Sequence, residues 1–68
     1  MIHTEPQIGD LLRRRECGTL AIVEHIDEAH IMHVRLLHTP NTWLRLGEVG
    51  DGFMVPAENI GVSWAIIA

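Results

Sequence analysis

Residues 8–26 read IGDLLRRRECGTLAIVEHI, and this stretch is the most informative part of the chain. A Gly-Asp pair precedes a short strand, Leu11 to Arg15, and a turn at Glu16-Cys17-Gly18 leads into a longer strand, Thr19 to Ile26. The longer strand is dense in β-branched and aliphatic residues and is apolar on both faces at residues 20–23. This pattern predicts a strand that runs through the middle of a small barrel or sandwich.

Turn signals divide the rest of the chain into further short strands, at the spacing of roughly 8–12 residues that is typical of small barrels and sandwiches. The predicted elements are a hairpin turn at 27–29, strands at 30–37 and 42–46, a loop at 38–41, glycine-rich turns at 47–52, extended structure at 53–55, a 3₁₀ or helical turn at 56–59 and a last strand at 62–67. In the strand 30–37, Met32, Val34 and Leu36 share one face, and His33 and Arg35 lie on the other. The whole pattern predicts an all-β fold.

The length of the chain determines how many domains it can form and limits how much surface it can bury on folding. The 68 residues make one domain, with residues 1–7 expected as a flexible tail and residues 8–68 as the barrel. A chain this short buries only about 60% of its unfolded surface, and its single cysteine excludes an intrachain disulfide. The apolar C-terminal strand is an edge that invites pairing, so we expect a homo-oligomer formed through it.

The N-terminal residues and the apolar runs give an expectation for the cellular compartment of the protein. The start of the chain lacks the basic and apolar regions of a signal peptide, and no apolar run approaches the roughly 18 residues of a membrane span. A lone free thiol fits a reducing compartment. We therefore expect a cytoplasmic protein with no membrane partner.

Charge separates two classes of partner. The formal net charge of −4 argues against a general nucleic-acid coat, which depends on neutralising phosphates. All five basic residues are arginines, and three of them are consecutive, from Arg13 to Arg15. On a strand, Arg13 and Arg15 share one side and Arg14 takes the other, so at most two of the three serve one flat patch.

Three short motifs resemble those of SH3-like small barrels, a group that includes KOW-type modules. They are IGDLLR followed by GTLAIVE, Trp43 in a strand followed by a hairpin at Gly50-Asp-Gly52, and VPAENI at residues 55–60. The resemblance implies a five-stranded SH3-like barrel with a 3₁₀ turn before the last strand. The chain lacks the tyrosines of a polyproline groove and the basic charge usual in KOW-type binders. Its compact form is similar in style to proteins of bacteriophages or mobile elements.

The five histidines invite a metal hypothesis. His30 and His33 point to opposite faces of a strand and cannot chelate one ion there. His25 and His33 could approach each other across the second hairpin, but no closed set of acidic or thiol ligands accompanies them. We therefore predict surface or interface histidines, with no metal and no cofactor.

No catalytic motif stands out. A nucleophile at Cys17 would need a histidine base, and the arginines beside it would lower its pKa, but a small residue in a tight turn is the simpler interpretation. The paired carboxylates lie in turns, where a solvated role is usual. We expect no enzymatic activity, although small barrels also assemble into oligomers with catalytic pores.

Two functions remain open. The first is a non-enzymatic module that binds proteins, as an assembly or regulatory factor, by strand addition or through a barrel face. The second is a nucleic-acid-binding barrel that uses its arginines as phosphate contacts. The candidate interaction surface consists of Arg13, Arg15, Arg35, Arg45, Trp43 and Trp64. Each tryptophan has a core and an interface interpretation, and at least one is expected to be mostly buried.

Overall fold

The computed structural model describes residues 5–39 and 47–68. Within these two ranges, five strands and one short 3₁₀ helix follow one another. They are β1 (Leu11–Arg14), β2 (Leu20–Ile26), β3 (Ile31–His38), β4 (Gly52–Pro56), η1 (Ala57–Asn59) and β5 (Trp64–Ile66). The prediction of an all-β chain with a 3₁₀ turn before its last strand is confirmed. The predicted strand at 42–46 lies outside the described residues.

All five strands form one antiparallel sheet in the order β4-β3-β2-β1-β5. The apolar strand β2 is central, as its sequence predicts, and β5 returns to pair with β1. In a flat sheet, the edge strands β4 and β5 would lie about 19 Å apart. The rings of Phe53 on β4 and Trp64 on β5 have centroids only 5.8 Å apart. The sheet is therefore rolled so that its two edges face each other across the core.

The core fills the inside of this roll. Every strand contributes at least one fully buried side chain. The buried apolar residues are Leu12, Ala21, Val23, Met32, Val34, Leu36, Val55 and Trp64. On β3, burial alternates between these inward residues and the outward His33 and Arg35, which confirms the predicted two-faced strand. Trp64 is 1% exposed, which confirms the expectation that at least one tryptophan is buried.

The turn between β1 and β2 depends on Gly18. Its φ of +75° lies in the left-handed region that other residues rarely adopt. The N–H of Gly18 donates to the carbonyl of Arg14 at 2.9 Å, and that of Arg14 donates to Thr19 at 2.8 Å. The fully buried Thr19 lies 3.0 Å from the Cys17 thiol, oxygen to sulfur. Cys17 therefore helps to satisfy a buried hydroxyl in a tight turn.

The last strand is shorter than the predicted 62–67. The N–H groups of Val62 and Ser63 both donate to the carbonyl of Asn59, at 3.0 and 3.1 Å, so they extend the turn after η1. Pro56 precedes η1 on the edge strand β4, where its missing donor costs no ladder hydrogen bond. The 3₁₀ turn thus carries the chain from one edge of the sheet to the other.

The N-terminal residues that the structure describes contact the sheet. Pro6 is buried, and Gln7 donates its N–H to a carboxylate oxygen of Asp10 at 2.8 Å. The N–H of Gly9 then donates to the carbonyl of Val23 at 2.8 Å, which joins this segment to β2. Within residues 5–39 and 47–68, no helix has the length and apolar character needed to cross a bilayer.

Candidate interaction surface

The outer face of the sheet carries the polar and exposed side chains of the central strands. Strand register places Met54 of β4 beside His33 of β3, and His33 beside His25 of β2. The next row runs from Arg35 to Ile22. We use the term outer patch for Ile22, Glu24, His25, His33, Arg35 and Met54. A register shift between Val23 and His25 marks a β-bulge at Glu24, which explains why two consecutive residues of β2 face outward here.

An ion pair stands at the centre of the outer patch. The Nε of Arg35 donates to a carboxylate oxygen of Glu24 at 2.9 Å, across β2 and β3. The same guanidinium donates to the carbonyl of Gly50 at 2.6 Å. The hydrogen bond from Arg35 lowers the pKa of Glu24 below its usual value, and the bond to Glu24 raises the pKa of Arg35. Both charges are thus paired within the patch, and Arg35 is held in one orientation.

A second polar group lies at the β2–β3 turn. One oxygen of Asp27 accepts hydrogen bonds from the N–H groups of Ala29 at 2.9 Å and Ile31 at 3.1 Å. The other oxygen lies 3.1 Å from the Nε2 of His33. The His33 hydrogen bond, followed by the backbone bond from Ile31, lowers the pKa of Asp27. Asp27 therefore closes the turn and fixes an outer-face histidine at the same time.

His25 and His33 meet across the hairpin, as the sequence suggested. Their ring centroids are 5.4 Å apart and their planes are tilted by 54°. Within residues 5–39 and 47–68, no group of three or more histidine, cysteine or acidic side chains is arranged to hold a metal ion. Among the described residues the two rings form a surface pair, and the Asp27 carboxylate lies beside the His33 ring.

Met54 supplies the exposed apolar part of the patch. Its side chain is 64% exposed although it lies in the middle of a strand. A shallow depression of about 370 Å³ is bordered by Met54, Phe53, Gly52 and the Glu24–Arg35 pair. An apolar side chain beside fixed polar groups is the arrangement found at the centre of many protein interfaces.

The consecutive arginines diverge. Arg13 and Arg15 are exposed, and neither has an ion-pair partner among the described residues. Arg14 turns to the other side of β1, where its guanidinium lies 6.0 Å from the Trp64 ring centroid and 3.4 Å from a Glu16 carboxylate oxygen. The observed exposure therefore matches the alternation predicted for this triplet. Among the described residues, the guanidinium groups of Arg13 and Arg15 have no carboxylate partner.

The remaining predicted surface residues have different outcomes. Arg35 lies on the outer face, as described, and is held by Glu24. Trp64 is in the core, so it offers no surface to a partner. Trp43 and Arg45 lie outside the described residues.

The sequence alone did not reveal the roles of Met54, Asp27 and Glu24. Nothing singled out Met54, because an isolated methionine in a short extended segment predicts core as readily as surface. Asp27 was expected only as a turn residue, although aspartate at the start of a turn characteristically accepts backbone N–H groups. Glu24 faces Arg35 across a register that includes a bulge, and no local signal predicts that bulge.

In comparisons with protein families, with curated proteins and with solved structures, no match to this chain was found. The site must therefore be interpreted from its own geometry.

Proposed function

We propose that the chain is a non-enzymatic interaction module, built as an SH3-like small barrel, that binds a partner protein through the outer patch. The observation that carries the proposal is Met54, an apolar side chain 64% exposed beside the oriented Glu24–Arg35 pair. Interfaces concentrate their binding energy in a few apolar or aromatic anchors that polar groups surround. The outer patch has both an apolar anchor, Met54, and polar groups beside it.

The charges of the patch favour a protein over a nucleic acid. Arg35 is paired with Glu24, and Asp27 lies against His33. A phosphate would have to displace a carboxylate from Arg35, on a chain whose net charge is −4. The partner that fits is an apolar side chain that packs on Met54, flanked by neutral polar groups that complete the hydrogen bonds of the pair.

The test compares two charge substitutions at equally exposed apolar residues. Met54→Glu places a charge in the patch, and Ile8→Glu places the same charge outside it, at a residue 65% exposed. We expect immobilised wild type and Ile8→Glu to retain the same proteins from a host extract at about 50 and 200 mM salt, and Met54→Glu to lose them. Retention of the same proteins by the wild type, Ile8→Glu and Met54→Glu alike, or by none of the three, would contradict the proposal.

Self-association through β5 is the second part of the proposal. β5 is an edge strand, and the apolar Val62 and Ile67 beside it are exposed. Exposed apolar edges pair readily with a second copy. Light scattering at tens of micromolar is expected to give a mass above 7.7 kDa, and Val62→Glu to reduce it. A monomeric mass for the wild type would rule this part out.

A nucleic-acid-binding module is the alternative that Arg13 and Arg15 favour, since both are exposed and unpaired among the described residues. It predicts a gel shift with DNA or RNA that weakens steeply between about 50 and 200 mM salt and is lost in an Arg13→Ala, Arg15→Ala variant. The outer-patch proposal predicts no such shift. A cytoplasmic location and an origin in a phage or mobile element stay predictions.

A further inference from the structure

The paired histidines of the outer patch have a geometry that goes beyond protein binding. His25 and His33 are direct cross-strand partners in β2 and β3, and their ring centroids are 5.4 Å apart. Two imidazole nitrogens that bind one zinc ion at about 2.1 Å in a tetrahedral arrangement place the ring centres roughly 5 Å apart. The spacing of the two rings on the barrel therefore already fits a shared ion.

Asp27 fixes the protonation of one ring. An ionised carboxylate can only accept a hydrogen bond, so the Nε2 of His33 carries the proton that it donates to Asp27 at 3.1 Å. In neutral His33 the lone pair is then on Nδ1. A histidine that donates its second nitrogen to a carboxylate is the usual arrangement in metal sites, because the carboxylate orients the ring and raises its basicity.

Asp27 is itself anchored. Its other oxygen accepts the N–H groups of Ala29 and Ile31, so the carboxylate is part of the turn and acts on His33 from a fixed position. His25, in contrast, has the His33 ring as its one contact of hydrogen-bonding, ionic or ring type among the described residues. Its imidazole is therefore available as a ligand.

The geometry points to a surface site in which His25 and His33 bind one borderline divalent transition ion, such as Zn²⁺, with Asp27 as the positioning residue. Imidazole suits Zn²⁺, Ni²⁺ and Cu²⁺, whereas Mg²⁺ prefers oxygen ligands. The described residues supply two histidine ligands, so water completes the coordination, and the affinity is below that of a four-ligand structural zinc site. This inference does not depend on the outer patch binding a protein.

The test is a calorimetric titration of the untagged protein with Zn²⁺ at about pH 7.5, with Mg²⁺ as the negative ion. We expect one Zn²⁺ per chain for the wild type and no heat of binding with Mg²⁺. His25→Gln and His33→Gln should each weaken Zn²⁺ binding at least tenfold, and Asp27→Asn by about 10- to 100-fold. His38→Gln, at the end of β3, is the matched control and should bind as the wild type does.

Two further measurements keep the result interpretable. Unfolding of each variant in the presence of EDTA is expected to show that His25→Gln folds as the wild type does, because the His25 side chain is exposed and has no side-chain hydrogen bond or ion pair among the described residues. The Zn²⁺ affinity should also fall between pH 7.5 and 5, because protons compete for imidazole nitrogens. Equal Zn²⁺ binding by the wild type and a His25→Gln, His33→Gln double variant would overturn the inference. So would a loss of binding in His38→Gln as large as that in His25→Gln.

Discussion

Strand β3 presents two faces with opposite chemistry. Leu36 on the inner face is 1% exposed, whereas the next residue, Leu37, is 46% exposed on the outer face. His33 and Arg35 continue the outer face with polar groups that are already paired. The inner face therefore specifies the fold of the sheet, and the outer face is available for a separate role. Substitutions on the two faces should therefore act on different properties.

The largest expected effect is on the inner face at Trp64. Trp64→Ala removes the largest buried side chain among the described residues, together with its contact to Phe53 where the two edges of the sheet meet. Such a truncation costs about 3–5 kcal/mol, which is comparable to the whole stability of a domain of this size, roughly 3–10 kcal/mol. We expect the variant to be largely unfolded by circular dichroism and urea titration. A cooperative transition at the wild-type midpoint would contradict the assignment of Trp64 to the core.

The next effect compares two adjacent leucines. Leu36→Ala should destabilise the domain by about 2–5 kcal/mol, because it leaves a cavity. Leu37→Ala should cost only about 0.5 kcal/mol, the range typical of surface substitutions. Urea unfolding of the two variants beside the wild type measures the difference. Equal losses would show that β3 does not separate the two environments.

These two expectations also show what the sequence could predict. Alternation of Met32, Val34 and Leu36 was visible because a strand has a period of two and the core takes one face. The central position of β2 followed from its apolar residues on both faces, a property of local composition. In both cases the physical cause lies in neighbouring residues of one strand.

The outer patch was less predictable because it depends on pairing between strands. Arg35 was singled out as a basic residue, but its partner Glu24 lies eleven positions away and reaches it through a bulged register. Trp64 was expected either in the core or at an interface, and only the return of β5 to β1 decides for the core. Register and closure are set by the whole sheet, and no short segment encodes them alone.

A smaller effect is expected at the β2–β3 turn. Asp27→Asn weakens the hydrogen bond to His33, and we expect a lower midpoint of thermal unfolding, with a loss smaller than that of Leu36→Ala. Because the folded protein lowers the pKa of Asp27, its contribution is present above the unfolded pKa of about 3.9 and is lost as the pH falls through the folded value.

Thermal unfolding between pH 6 and 2.5 checks this sign. The wild type should lose more stability on acidification than Asp27→Asn does, and the two curves should converge as the pH falls below the folded pKa of Asp27. Curves that stay parallel over the whole range would show that Asp27 carries no pH-dependent stability.

The smallest effect on stability is expected for the Glu24–Arg35 pair. Both side chains are about half exposed, and ion pairs of this kind contribute little to stability. We expect Glu24→Gln to leave the urea midpoint nearly unchanged at 150 mM salt, while it weakens retention of the partner because Arg35 loses its fixed orientation. A large change in the urea midpoint would show that this pair stabilises the fold, contrary to its proposed role in binding.

The most direct test of the two-faced sheet uses its own methionines. Met32 on the inner face is fully buried, and Met54 on the outer face, one strand away, is 64% exposed. Mild peroxide treatment followed by mass spectrometry of peptides measures the oxidation rate of each thioether. We expect rapid oxidation of Met54, protection of Met32 until the protein unfolds, and slower oxidation of Met54 when the partner is bound. Similar rates for the two methionines in the folded protein, or no protection of Met54 by the partner, would contradict this expectation.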